Sequence, residues 1–224
     1  VVRPGENGFV FKFGDTEVIA GVKLGLGEPF PDSPDEGALM VNIELLPLSN
    51  PEFESGPPSI DSIEISRVVD RCIRESGCVD MSQFNIITGE KVWTLSIDII
   101  PINASGNLLD ISALAAIAAI QNARFPQMVD KTVDYRADKT KKTIEMTDIP
   151  VMVTVHKIGK ELIVDPLSEE EAVSDARVSI GLLSDGTICS MQKGGCEAVT
   201  SEELSKIIDL ALEKSKELRE KLEE

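Results

Sequence analysis

The chain has 224 residues, enough for one large domain or two small ones with a hydrophobic core. It carries 22 lysines and arginines against 39 aspartates and glutamates, a formal charge of −17 with its single histidine neutral. Such a surface repels polyphosphate backbones, which excludes a protein that coats nucleic acid indiscriminately and confines any RNA or DNA contact to one locality. The longest unbroken apolar run, Ala113–Ile120, is far short of the roughly twenty residues that cross a bilayer, and no basic-then-apolar leader opens the chain. A soluble, cytoplasmic protein without membrane contact is expected. The opening at Val1 in place of a methionine predicts a trimmed start.

Strand patterns come first: Phe9–Phe13, a Gly14-Asp15 turn, then Glu17–Lys23. From Glu28 to Glu64 there are nine carboxylates and seven prolines but no lysine, arginine or histidine, a composition that reads as mostly loop. One strand interrupts it, Ala38–Leu46, whose near-continuous hydrophobicity predicts burial on both faces. A helix over 59–76 follows, with Gly77 as its stop. Strands resume at Phe84–Ile87 and Val92–Ile100. The turn at Ser105–Asn107 then leads into a helix from Leu109 to Arg124, rich in alanine and isoleucine nearly all the way round and therefore expected inside the core.

Beyond Pro126 a mixed-charge segment, Lys131–Lys142, reads as solvent-facing surface. Further strands are predicted at Val151–Val155, Leu162–Val164, Val178–Leu183 and Thr187–Met191, with a helix start at Ser168–Glu171. The closing helix begins at Thr200, which has capping-box spacing to Glu203, and Leu204, Ile207, Ile208, Ala211, Leu212, Leu218 and Leu222 trace an apolar stripe along it. Strands and helices without regular alternation, and without a Gly-x-Gly-x-x-Gly turn, predict an α+β fold. Cys72, Cys78, Cys189 and Cys196 lack zinc-knuckle or redox-motif spacing and read as buried, reduced thiols. His156, in the β-rich run Val151–Lys157, reads as an ordinary strand position. No metal or cofactor is implied.

The 59–76 helix carries Arg67, Arg71 and Arg74. At about 100° per residue they fall within a stripe about 60° wide, opposite Ile65, Val68, Val69, Cys72 and Ile73. Two readings are open: these arginines pair with Glu64, Asp70 and Glu75, or their guanidiniums fork onto backbone phosphates.

Several ordered motifs resemble the ribonuclease PH family: Gly14-Asp-Thr-Glu-Val18, the run Gly56–Arg74, Gly89-Glu-Lys-Val-Trp-Thr-Leu95, Asn107–Ala116 and Val164–Glu171. Within that family the chain is most similar to the non-catalytic ring subunits of the archaeal exosome. The resemblance implies an α+β, ribonuclease PH-like fold of two related βαβ-type halves in a single domain over residues 1–224. It also implies a ring of three heterodimers with an active sister subunit, which degrades single-stranded RNA from the 3′ end with inorganic phosphate, and RNA-binding cap subunits as further partners.

Phosphorolysis brings a phosphate dianion to a phosphodiester, so the site needs cations and donors. Active relatives carry an arginine in a Gly-Thr-Arg-Thr or Gly-Ser-Arg-like loop; the corresponding run here is Asn107-Leu108-Leu109-Asp110, with a leucine at the arginine position and a carboxylate where phosphate would dock. A second basic pair of active subunits is replaced by Ile60-Asp61, and no lysine or arginine occurs between Lys91 and Arg124. Asp175 matches the family's catalytic acid but is expected to be structural or vestigial. The resemblance assigns RNA-backbone contact to Arg67 and Arg71, with Arg74 beside them. Two alternatives stand against a non-catalytic RNA-positioning subunit: an active phosphorolytic exoribonuclease, and a ring scaffold that never touches RNA.

Overall fold

A computed structural model describes residues 3–4, 8–129, 132–134 and 137–223. Its elements run β1 (Arg3–Pro4), β2 (Gly8–Phe13), β3 (Thr16–Gly27), β4 (Ala38–Ile43), α1 (Ile60–Glu75), β5 (Asn85–Ile87), β6 (Lys91–Asn103) and α2 (Leu108–Asn122). They continue with β7 (Gln127–Val129), β8 (Thr132–Asp134), β9 (Val151–Ile158), β10 (Glu161–Val164), α3 (Ser168–Ala172), β11 (Ala176–Leu182), β12 (Ile188–Gly195) and α4 (Ser201–Glu223).

One sheet has the order β1-β2-β3-β6-β4, with β5 also on β6; the other has the order β10-β9-β11-β12. The β2–β3 hairpin turns at Gly14, whose φ of 52° suits a residue without a side chain. β4 runs parallel to β6, and α1 provides the crossover between them. In the second sheet every pair is antiparallel, and α4 closes that half.

The class is α+β, as expected, and α2 sits where both sheets need cover. It touches β2, β3 and β6 of the first sheet, β9 of the second, and α1. Every residue from Leu109 to Ile120 is buried, which is what an apolar circumference requires. β9 is buried from Val151 through His156 because α2 and α4 both pack on it. A continuous hydrophobic cluster joins Phe9, Leu95, Ile117, Val153, Ile180 and Ile207, and so runs through both sheets and all three long helices.

The helix ends follow local chemistry. Ser62 N–H donates to Ser59 Oγ at 3.1 Å to open α1, and Gly77 follows its end at a φ of 61°. At α4 Thr200 N–H donates to Glu203 Oε2 at 2.8 Å and Glu203 N–H donates back to Thr200 Oγ1 at 3.3 Å.

Three expectations need correction. β4, an edge strand, is buried on one face only, where α1 covers Leu39 and Ile43, while Met40 on the other face is 48 % exposed; it ends at Ile43 instead of Leu46. Of the four cysteines only Cys72 and Cys78 are buried; Cys189 is half-buried and Cys196 exposed. Asp110 does not face a phosphate site: it is 2 % exposed, with its oxygens accepting from Thr154 N at 2.9 Å and Thr154 Oγ1 at 2.7 Å. The expected surface segment 131–142 lies partly outside the described residues; where it is described, Lys142 stacks 4.6 Å over the Phe125 ring.

The Asp110–Thr154 contact ties the first turn of α2 to the second sheet. Burial raises the Asp110 carboxyl from the usual 3.8 to about 7, against the lowering effect of the Thr154 donors. The folded chain thus holds this proton more tightly than the unfolded chain. The stability this group contributes is complete at low pH and is lost as pH rises through about 7. Asp110→Asn keeps an acceptor for Thr154 N–H and removes the titration. Urea midpoints at about pH 5 and about pH 8 are expected to show the variant gaining on the parent as pH rises; an unchanged difference would contradict the assignment.

Candidate nucleic-acid interface

The apolar side of α1, with Ile65, Val68, Val69, Cys72 and Ile73, is buried, which turns Arg67, Arg71 and Arg74 outward. Their surroundings differ. Arg74 is engaged in a fork with Asp70, Nε to Oδ2 at 3.1 Å and Nη2 to Oδ1 at 2.8 Å, and Nη2 also donates to Leu39 O at 3.1 Å. That pairing, led by the hydrogen bond to Asp70, raises its pKa further. Glu64 is on the same helix but is taken by Arg177 of β11, whose Nη2 donates to Glu64 Oε2 at 2.7 Å. Among the described residues Arg67 and Arg71 have neither an ion pair nor a side-chain hydrogen bond, so two guanidiniums on consecutive turns remain open to a ligand.

Sequence reasoning overlooked the residues that extend this ridge. Ile60 is 85 % exposed and Ile63 51 % exposed, and at about 100° per residue both fall within about 40° of Arg67. Their spacings of four and seven residues to Arg67 were the available signal. The ridge is apolar at its start and cationic at its end.

Behind α1 lies a cavity of about 280 Å³ whose walls include Glu64, Leu108, Leu109, His156, Glu171 and Arg177. The start of α2 shapes it: Asn107 has a φ of 51°, its N–H donates to Glu171 Oε1 at 3.0 Å, and Leu108 and Leu109 face the space. Burial pushes the Glu171 carboxyl up. His156 is drawn down to about 4, first by burial and then by Arg177, and is neutral near pH 7; its Nδ1 sits 3.1 Å from Ser174 Oγ. Arg177 is the only lysine or arginine among the described lining residues, and Asp61, Glu64 and Glu171 outnumber it. A cavity with one guanidinium, already paired, and three carboxylates is electrostatically wrong for inorganic phosphate.

Asp175 does not line that cavity. Its Oδ2 accepts from Gly159 N–H at 2.6 Å and so caps the β9–β10 turn. Trp93 is 6 % exposed and packs edge-on to Phe125 with ring centroids 5.8 Å apart, leaving no face for a base. Tyr135 lies outside the described residues.

Two family models match in order along the chain, "3′ exoribonuclease family, domain 1" over residues 4–126 and "3′ exoribonuclease family, domain 2" over residues 148–214. A protein of Methanothermobacter thermautotrophicus, described as exosome complex component Rrp42, is 43 % identical over all of this chain and 83 % of its own length. A protein of the same description from Archaeoglobus fulgidus is also 43 % identical, over all of this chain and 84 % of its own length. Among solved structures, a chain from the Archaeoglobus fulgidus exosome with RNA bound to the active site aligns with a TM-score of 0.89 and 42 % identity, covering 96 % of this chain and 83 % of that one. An archaeal exosome core structure aligns with a TM-score of 0.84 at 39 % identity. With both models matched in sequence order on a fold that these structures share, the chain belongs to the 3′ exoribonuclease, or ribonuclease PH, family.

Proposed function

We propose that the chain is a non-catalytic ring subunit of the archaeal exosome, which pairs with an active ribonuclease PH-like sister and holds single-stranded RNA while the sister degrades it 3′ to 5′ by phosphorolysis. The observation that carries this reading is the pair Arg67 and Arg71, exposed and unpaired among the described residues, on a helix whose Asp70 and Glu64 are engaged by Arg74 and Arg177. Two guanidiniums a turn apart fork onto successive backbone phosphates and read no base, which suits an enzyme that takes any sequence. Arg74, already held by Asp70 and Leu39 O, contributes less.

The chemistry belongs to the sister because this chain's own cavity has apolar residues and carboxylates where a dianion has to be held. Ile60 and Ile63, exposed next to the arginines, suit a subunit boundary across which RNA is shared. The continuous core supports the two matched segments acting as one domain. The same reading has a trimer of heterodimers, RNA-binding cap subunits as partners and the cytoplasm as setting.

Incubated alone with single-stranded RNA and phosphate, the purified chain is expected to release no nucleoside diphosphate; release would establish the active-enzyme alternative. Reconstituted with an active sister, the double variant Arg67→Glu, Arg71→Glu is expected to assemble and to lose at least about tenfold in RNA affinity, since two charge-assisted contacts together exceed the roughly 1.4 kcal/mol that a factor of ten represents. Arg74→Glu should lose less. Assembly with unchanged affinity would leave the scaffold reading in its place.

A further inference from the structure

Cys72 and Cys189 lie far apart in sequence, yet the fold brings them together. β12 pairs with β11 so that Gly181 opposes Ser190 and Leu182 opposes Ile188, which leaves Cys189 as the extra residue of a β-bulge. A bulge breaks the strict in-and-out alternation of a strand and re-aims the side chain it carries. α1 packs against β12, and Cys189 Sγ lies 3.8 Å from Cys72 O on that helix. A Cβ built on Gly181 would stand 2.9 Å from Cys189 Sγ and 3.0 Å from Cys72 Sγ, so both sulfurs border the one space that this glycine leaves open. Any larger residue at 181 would push them apart.

The two thiols are not equivalent. Cys72 is fully buried, whereas Cys189 is half-buried and open to a small oxidant. Interaction with the Cys72 thiol, helped by Ser190, draws the Cys189 thiol down to about 7, while the same thiol–thiol interaction and burial push Cys72 well up. The half-buried Cys189 is therefore the member drawn toward the nucleophilic thiolate form, and the buried Cys72 the one drawn toward keeping its proton. The other two cysteines lack this arrangement: buried Cys78 donates to Ile73 O at 3.7 Å, and Cys196 is exposed. Among the described residues no group of three or more His, Cys, Asp or Glu side chains is placed to hold a metal, so the pair is not part of such a site.

We propose that Cys189 and Cys72 are a peroxide-responsive thiol pair, with Cys189 as the attacking sulfur and Cys72 as the resolving one, whose disulfide ties α1 to β12. In the first step the Cys189 thiolate attacks one oxygen of hydrogen peroxide. An S–O bond forms, the O–O bond breaks, and hydroxide leaves. Sulfur loses two electrons to the peroxide and becomes a sulfenic acid. In the second step Cys72 gives up its proton and its sulfur attacks Cys189 Sγ. The S–S bond forms as the S–O bond breaks, and the departing hydroxide takes a proton to become water. Two thiols and one hydrogen peroxide thus give one disulfide and two waters, and a dithiol reductant reverses the link. The site stands independently of the RNA-binding reading.

The test uses the full chain, reduced and then exposed to one equivalent of hydrogen peroxide, with alkylation and peptide mass mapping under non-reducing conditions. The expected product is a peptide pair linked through Cys72 and Cys189, while Cys78 and Cys196 are recovered alkylated once the quenched chain is denatured, with Cys189 consumed at least about tenfold faster than Cys196. Cys196→Ser, at an exposed position, should leave the linkage intact. Cys72→Ser should leave Cys189 as a sulfenic acid that dimedone captures. Oxidation that goes first to Cys196, or a disulfide through Cys78, would overturn the proposal.

Discussion

The burial of α2 is the constraint on which the rest of the molecule depends. A helix apolar on every side has to be covered on every side, and here the first sheet, the second sheet and α1 together do so. Its one buried acid, Asp110, is accommodated because Thr154 on β9 supplies two donors, so the contact that satisfies its oxygens also links the halves. The start of the same helix shapes the neighbouring cavity. Leu109 and Asp110 are buried at the start of the helix, and Leu108 and Leu109 give the cavity an apolar wall.

The net charge takes on a different meaning once its distribution is known. Many carboxylates lie in the base-free stretch from Glu28 to Glu64, and Asp70 and Glu64 each occupy one particular arginine, Arg74 and Arg177. The positive potential that remains on α1 is concentrated at Arg67 and Arg71. An acidic surface that leaves two adjacent cations unneutralised disfavours nucleic acid over most of the molecule and favours it at one place.

What could be read in advance was local. The ends of α1 and α4 were legible because Ser59, Gly77, Thr200 and Glu203 act on backbone groups within a few residues of themselves. The arginine stripe was legible because helical spacing alone sets it, and the burial of α2 because its composition leaves no polar face. What was not legible depended on distant partners. Asp110 could not be oriented without knowing that Thr154 packs above it, and Glu64 could not be taken from its own helix's arginines without Arg177. That only one face of β4 is covered depends on what packs against it, which continuous hydrophobicity does not reveal. The approach of Cys189 to Cys72 needs a bulge that no spacing rule marks.

The central claim, that this chain holds RNA through the phosphate contacts of two arginines, is tested most directly by the salt dependence of RNA binding to the assembled ring. Each phosphate contact on a single strand contributes about 0.7 to the slope of log affinity against log salt. Replacing Arg67 and Arg71 with alanine should therefore lower the slope by about 1.4 for each strand held. Parallel lines for the parent and substituted rings would contradict the account.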